Sequence, residues 1–306
     1  MKKLTLFFVM AIVCILAACN NEEAKDTEAK EQEVTPETII YKSSKGDIEV
    51  PANPQRVVAL AYTGDIIHLD VPIVGTEPFS MDNPNFQEGL KDAVTVTNED
   101  LEKIIELEPD LIIGYDSIEN GDKLQEIAPT VLFTYGEYDY LQQHIELGKV
   151  LNKETEATEW VADFKARAKQ IGEEVKEKIG PDATITVAEN YGKQMGIFGD
   201  AWGRGTELLY QEMGLTMHPA VKDAALEPGY ATISSEVLGD YVGDYLVLSF
   251  VSKDQDTSFL EADWYQNIDA VKNNRVIKAD AAGFYFNDAT TLEYQLELFK
   301  NAFLNN

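Results

Sequence analysis

The chain has 306 residues and carries 54 acidic side chains against 25 basic ones, a formal net charge of −29 at pH 7. That balance excludes a general affinity for nucleic acid or for anionic lipid surfaces, since both repel an acidic protein. Its two cysteines, Cys14 and Cys19, both lie near the N-terminus, which leaves no disulfide framework and no cysteine metal site to hold a fold.

The opening residues, MKKLTLFFVMAIVCILAAC, place Lys2 and Lys3 before an apolar run from Leu4 to Leu16, then small residues and Cys19. A signal peptide over residues 1–18 has this layout, and the run is too short for a comfortable membrane span. Leu16-Ala17-Ala18-Cys19 resembles the lipobox of bacterial lipoproteins, which implies cleavage before Cys19 and a lipid on its sulfur. A plain secretory signal or an uncleaved anchor is the alternative. Cleavage removes two lysines and leaves 23 basic against 54 acidic side chains, a charge of −31. Residues 19–38, with the tract NNEEAKDTEAKEQEVTPET, have no apolar periodicity and read as an acidic tether from the lipidated Cys19.

After the tether, β-branched runs alternate with helical patterns. RVVALA, PIVGT, DLIIGY and TVLFTY predict strands; DIIHLD, NEDLEKIIELEP, DKLQEIAP and YLQQHIELGKVLN predict helices. The alternation predicts an α/β lobe over 39–152 with a largely parallel sheet covered on both faces. In residues 153–179, Ala157, Trp160, Val161, Phe164, Ala168, Ile171, Val175 and Ile179 recur at three- and four-residue steps. This is one stripe of an amphipathic helix on the order of 40 Å long, a rigid spine rather than a flexible linker, with Trp160 in its core. Alternation then resumes over 180–306. ATITVAEN, QMGIFG, YLVLSFV and RVIKADA are strand-like, whereas TELLYQEMG, SSEVLGDYV and TTLEYQLELFKNAFL are helix-like. Two Rossmann-like α/β lobes joined by the spine are expected.

The lobes echo each other. EKIIELEPDLII opens with Glu102 and reaches Asp110 eight residues later; EVLGDYVGDYLVL opens with Glu236 and reaches Asp244. Each Asp follows a bend residue, Pro109 or Gly243, and precedes an apolar strand. Each Glu starts a short helix, where a carboxylate is favoured.

Enzyme signatures are scarce: the chain has no G-x-S-x-G elbow, P-loop or H-E-x-x-H. His68, His144 and His218 stand apart in sequence and read as surface or core residues rather than metal ligands. The remaining chemistry is aromatic. Tyr62, Tyr115, Tyr191, Trp202, Phe284 and Tyr285 fall at or just past strand ends, where the loops of an α/β lobe face a crevice. In FGDAWGRGTELLY, Trp202 and Arg204 stand among glycines with no apolar periodicity to bury them. A ring and a guanidinium so placed can stack on a ligand and grip its oxygens; a bridge from Arg204 to a lobe carboxylate is the other reading.

NPQRVVAL, LEKIIELEPDLIIGYD, the inter-lobe helix and AVKNNRVIKAD, with the lipobox and tether, resemble the siderophore- and vitamin-B12-type substrate-binding proteins of ABC importers. GDAWGRG and FYFNDATTLEY look like the ferric-hydroxamate-binding lipoproteins of Gram-positive bacteria. The resemblance implies the class III periplasmic-binding-protein fold, with a shallow cleft between rigid lobes. It implies no enzymatic activity, no cofactor, and a monomer anchored by lipid at the outer face of the cytoplasmic membrane. The implied ligand is an Fe(III)–hydroxamate siderophore that encloses its own iron and is passed to a permease pair. Trp202, Arg204, Phe284 and Tyr285 match the family's ligand-binding motifs, with Phe284 where Trp is common. Tyr191, Tyr62 and Tyr115 are carried over on strand-end position alone. Glu102 and Glu236 match the acidic pair that docks on permease arginines. A haem, catecholate-siderophore or cobalamin receptor of the same fold is the alternative, with a lipid-anchored hydrolase or reductase more remote. A ferric tris-catecholate, with about three negative charges, would want several basic residues around the cleft, which this acidic chain does not advertise.

Overall fold

A computed structural model of the protein describes residues 37–250 and 256–305. The expected signal peptide, the expected lipidation site Cys19 and all but the last two residues of the expected tether fall outside the described residues. Thr38, read as the end of the tether, opens an antiparallel hairpin of β1 (Thr38–Ser43) and β2 (Gly46–Pro51). Tyr41 and Val50 of that hairpin are buried in the core of the first lobe.

The first lobe holds β3 (Val57–Ala59), β4 (Ile73–Thr76), β5 (Val94–Thr95), β6 (Leu111–Tyr115) and β7 (Thr130–Phe133). They form one parallel sheet in the order β5-β4-β3-β6-β7. Both faces are buried, and the two-residue period divides the side chains between them. Val57, Ala59, Leu111 and Ile113 enter one core, while Val58 and Ile112 join Ile104 and Leu124 in another. Strand order reverses between β3 and β6, so the crevice of the lobe opens at their C-terminal ends.

The second lobe holds β8 (Thr184–Asn190), β9 (Gln194–Phe198), β10 (Thr216–Met217), β11 (Tyr230–Ser234), β12 (Tyr245–Phe250) and β13 (Val276–Asp280). Their order is β11-β9-β8-β12-β13, with β10 paired to the start of β8. This sheet is mixed: β9 runs antiparallel to both β8 and β11. The three residues between β8 and β9 permit only a hairpin, because a parallel crossover needs a dozen or more. Tyr191 N–H donates to the Gln194 carbonyl (2.9 Å) to close that turn.

The spine helix runs over Glu154–Ile179, 26 residues or about 39 Å. Ala157 packs in the core of the first lobe, whereas Phe164, Ala168, Ile171 and Val175 pack in the second. A second tie lies beside it. The C-terminal helix Ala289–Leu304 abuts the helix Thr63–His68 of the first lobe, where Ala289 N–H donates to Asp65 Oδ1 (3.0 Å) and Thr290 Oγ1 to the Gly64 carbonyl (2.7 Å). The lobes are thus tied through two different elements.

His68, His144 and Trp160 come from three separate helices and meet at that junction, with ring centroids 4.7–5.5 Å apart. Trp160 Nε1 donates to Glu293 Oε1 (2.7 Å), which Arg167 also holds (2.5 Å). Trp160 is a structural residue of the spine.

Candidate functional site

A cleft of about 630 Å³ opens between the lobes. On the first lobe the chain leaves β3 and turns at Tyr62, whose φ of +60° starts the helix Thr63–His68. Tyr115 ends β6. Their ring centroids lie 5.0 Å apart, edge to face, and both rings line the cleft. Desolvation, with Tyr135 nearby, pushes the Tyr115 hydroxyl up to about 12, and burial likewise raises Tyr62. Both phenols therefore stay protonated at neutral pH. As phenols they can donate and accept hydrogen bonds along the first lobe's wall.

The second lobe's wall follows β9. Gly203, Arg204 and Gly205 have φ of +66°, +56° and +74°, three successive left-handed residues. The two glycines are required by space as well as by φ. A Cβ on Gly203 would stand 2.3 Å from the Tyr285 carbonyl oxygen, and one on Gly205 would stand 2.7 Å from the Phe299 ring. This coil presents Trp202, 40 % exposed, to the cleft, with its ring on Tyr230 at 5.3 Å.

Arg204 points the other way. It is 5 % exposed, and Nη2 and Nε lie 2.9 and 3.1 Å from Glu189 Oε1 while Nη1 donates to the Trp202 carbonyl (3.0 Å). Its guanidinium carbon sits 4.1 Å from the Tyr285 ring centroid and 4.4 Å from that of Phe198. Burial opposes the charge, but hydrogen bonds and the ion pair with Glu189 hold the guanidinium above its ordinary value. Arg204 thus lies behind the lining residues and, of its two expected readings, forms the bridge to a lobe carboxylate. Tyr191, 40 % exposed, stands beside this pair, where burial and then Glu189 push its hydroxyl up to about 12. Tyr191 is likewise outside the cavity lining.

Phe284 requires a correction. It is fully buried, edge-on to Phe299 at 5.7 Å, and belongs to the core of the second lobe. The chain makes a helical turn over Ala281–Phe284, so residues past β13 no longer alternate as in a strand. Phe286, two residues on, lines the cleft instead, stacked on Phe86 at 6.0 Å. Tyr285, 36 % exposed, stands at the cleft margin and meets Phe79 of the first lobe edge-on at 4.9 Å.

Sequence reasoning also missed the polar floor. Asp65 Oδ1 accepts from His144 Nδ1 (2.8 Å), and Asp288 caps the C-terminal helix by accepting from Thr291 N–H (3.0 Å) and Thr291 Oγ1 (2.8 Å). Burial, reinforced by the charge of Asp65, raises Asp288 to about 7. Glu207 is held by Gly203 N–H (2.9 Å) and Asn287 Nδ2 (2.8 Å) on a π-helical turn, in which Met213 N–H reaches back five residues to Leu208. Asp65, Glu77, Asp139, Glu207 and Asp288 all line the cleft, and no Lys, Arg or His is among its described lining residues. Each carboxylate caps backbone or pairs with a neighbour, a role that short-range sequence patterns only partly reveal. Tyr135, Tyr138 and Tyr140 also line it; they follow β7 in FTYGEYDY, and the strand-end rule that selected Tyr62 selects them equally.

The two expected docking residues are placed alike: Glu102 and Glu236 are exposed in the first turns of the short helices Leu101–Glu106 and Ser235–Asp240. The cleft as a whole suits a bulky ligand with apolar faces and neutral or positive charge, and repels anions.

Residues 57–282 match the family model described as periplasmic binding protein. The chain is 35 % identical to the iron(3+)-hydroxamate-binding protein FhuD of Bacillus subtilis, over 95 % of this chain and 94 % of that protein. It is 30 % identical to the iron(3+)-hydroxamate-binding protein YxeB of the same organism, over 97 % and 96 %. FhuD2 of Staphylococcus aureus, solved with bound ferrioxamine B, superposes with a TM-score of 0.75 at 30 % identity, covering 82 % of this chain and 99 % of that one. The chain belongs to the periplasmic-binding-protein family.

Proposed function

We propose that this periplasmic-binding-protein family member is a lipid-anchored receptor that captures ferric hydroxamate siderophores and hands them to an ABC permease. The observation that carries the ligand class is the cleft's composition: aromatic walls with five carboxylates and no basic side chain among the described lining residues. A ferric trihydroxamate is neutral or cationic and accepts such a site, whereas a ferric tris-catecholate is repelled. The relatives named for iron(3+)-hydroxamate binding support the same choice.

In this reading Trp202, Tyr62 and Tyr115 pack on the ligand, with Tyr285 at the margin. Arg204 contributes by fixing the Trp202 carbonyl and the Tyr285 ring rather than by an open salt bridge. Tyr191 flanks that assembly. The iron stays within its chelator, and no bond is made or broken. Glu102 and Glu236, one per lobe and both exposed, are the docking points for basic residues of the permease. Cys19 carries the anchor, and the domain works as a monomer at the outer face of the cytoplasmic membrane.

Uptake of labelled iron from ferrioxamine B by iron-starved cells tests the proposal. Deleting the chain should abolish that uptake, and restoring it should return it; deletion that leaves uptake unchanged would contradict the proposal.

A further inference from the structure

Gln143 lies on the helix Tyr140–Val150, lines the cleft, and is 7 % exposed. Its side-chain nitrogen Nε2 is buried without a hydrogen-bond partner. Its neighbours are committed elsewhere. Gln142 Nε2 donates to Glu146 (3.0 Å), and Asp139 Oδ1 caps the N–H groups of Leu141 (3.0 Å) and Gln142 (2.8 Å). The buried carboxylates on the same cleft, Asp65, Glu207 and Asp288, already accept from protein donors. A buried amide donor left unpaired is costly; Nε2 itself has almost no accessible surface, so a turn of the terminal amide that brings its N–H to the cleft lets a ligand acceptor recover that cost on binding.

The walls define the acceptor. With five carboxylates lining the cleft and no basic side chain among its described lining residues, a carboxylate, phosphate or catecholate oxygen is repelled from this floor. A neutral carbonyl is not.

We infer that Gln143 is a ligand-binding residue whose side-chain amide donates a hydrogen bond to a neutral carbonyl oxygen, amide or hydroxamate, of the bound molecule. The inference rests on the reading of the cleft as a ferric hydroxamate site and adds a residue that selects among ligands by the charge of the oxygen reaching the floor.

The test titrates ferrioxamine B into the purified full-length protein and its Q143M and Q143E variants, followed by tryptophan fluorescence, with thermal melts in parallel. Methionine keeps the volume and removes the donor. Q143M should weaken ferrioxamine B by about tenfold or more, the size of one lost hydrogen bond, without lowering Tm. Q143E, which replaces the donor with a further acceptor, should weaken it more. Affinity in Q143M within twofold of wild type overturns the inference. So does a Tm loss of several degrees that accompanies the weaker binding, since Gln143 would then be a structural residue. Failure of the wild-type protein to bind any ferric hydroxamate overturns the reading beneath it, and that result is visible before any variant is made.

Discussion

Arg204 and Glu189 form an ion pair sealed inside the second lobe, with 2.9 Å between Nη2 and Oε1 and side-chain exposures of 6 % and 2 %. Glu189 Oε2 also accepts from Ser249 Oγ (3.1 Å). The pair fixes the coil that carries Trp202, which links a buried electrostatic feature to the shape of the cleft. Removing one partner of such a pair leaves an uncompensated charge. Arg204→Ala should therefore destabilise the fold by about 3 kcal/mol, and the double variant Arg204→Met, Glu189→Gln should regain most of that stability. Ligand binding should fall in both, because Trp202 and Tyr285 lose their support. Chemical denaturation of the three proteins checks this, and an Arg204→Ala variant as stable as wild type would show that the pair does not hold the coil.

Gly203→Ala should act through the same coil. The new methyl meets the Tyr285 carbonyl oxygen, which is backbone and also accepts from Arg204 N–H (3.2 Å), at a φ that penalises any side chain. A loss of about 1–3 kcal/mol is expected, with weaker binding of ferrioxamine B. Thermal melts and fluorescence titration read both effects.

Asp288 predicts a pH dependence. Its carboxyl, raised to about 7, binds a proton in the folded state that it would release near 3.8 when unfolded. Its contribution to stability is therefore full below about 4 and is lost as pH rises through 7. Asp288→Asn keeps an N-cap but carries no charge. The variant should match wild type at pH 4 and exceed it at pH 8 by a few degrees in Tm, roughly the effect of 1–2 kcal/mol on a domain of this size. Equal Tm differences at both values would show that Asp288 does not titrate between them.

Glu102 and Glu236 should separate capture from delivery. Reversing both charges to lysine should leave ferrioxamine B affinity within about twofold, because both side chains are exposed on helix first turns outside the cleft lining. Iron uptake by cells carrying the double variant should stop. Uptake at the wild-type rate would show that neither acid contacts the permease.

Sequence periodicity carried the architecture well, and the echo between the lobes has a physical basis. Asp110, ahead of β6, accepts from the N–H groups of Gln55 (2.6 Å) and Arg56 (2.9 Å) at the approach to β3; Asp244, ahead of β12, accepts from Thr184 N–H (2.8 Å) at the start of β8. In each lobe one aspartate pins the first of two neighbouring parallel strands. The site was less legible because its residues meet only in three dimensions. Tyr62 and Tyr115 follow from strand ends, and Trp202 from its glycines. Phe284 was misread because a helical turn replaces strand alternation after Asp280. Which of its two readings Arg204 takes was not legible, because its partner Glu189 lies fifteen positions away on β8. Nothing local to Asp65 announces that Ala289, 224 positions on, will share its carboxylate.

The proposed preference for ferric hydroxamates rests on walls that carry carboxylates and no cation among the described lining residues. The most direct measurement compares the dissociation constants of ferrioxamine B and a ferric tris-catecholate for the purified protein at low ionic strength. Saturable binding of ferrioxamine B at least about a hundredfold tighter than that of the catecholate is expected, since like-charge juxtaposition costs several kcal/mol. Tighter binding of the catecholate would contradict it.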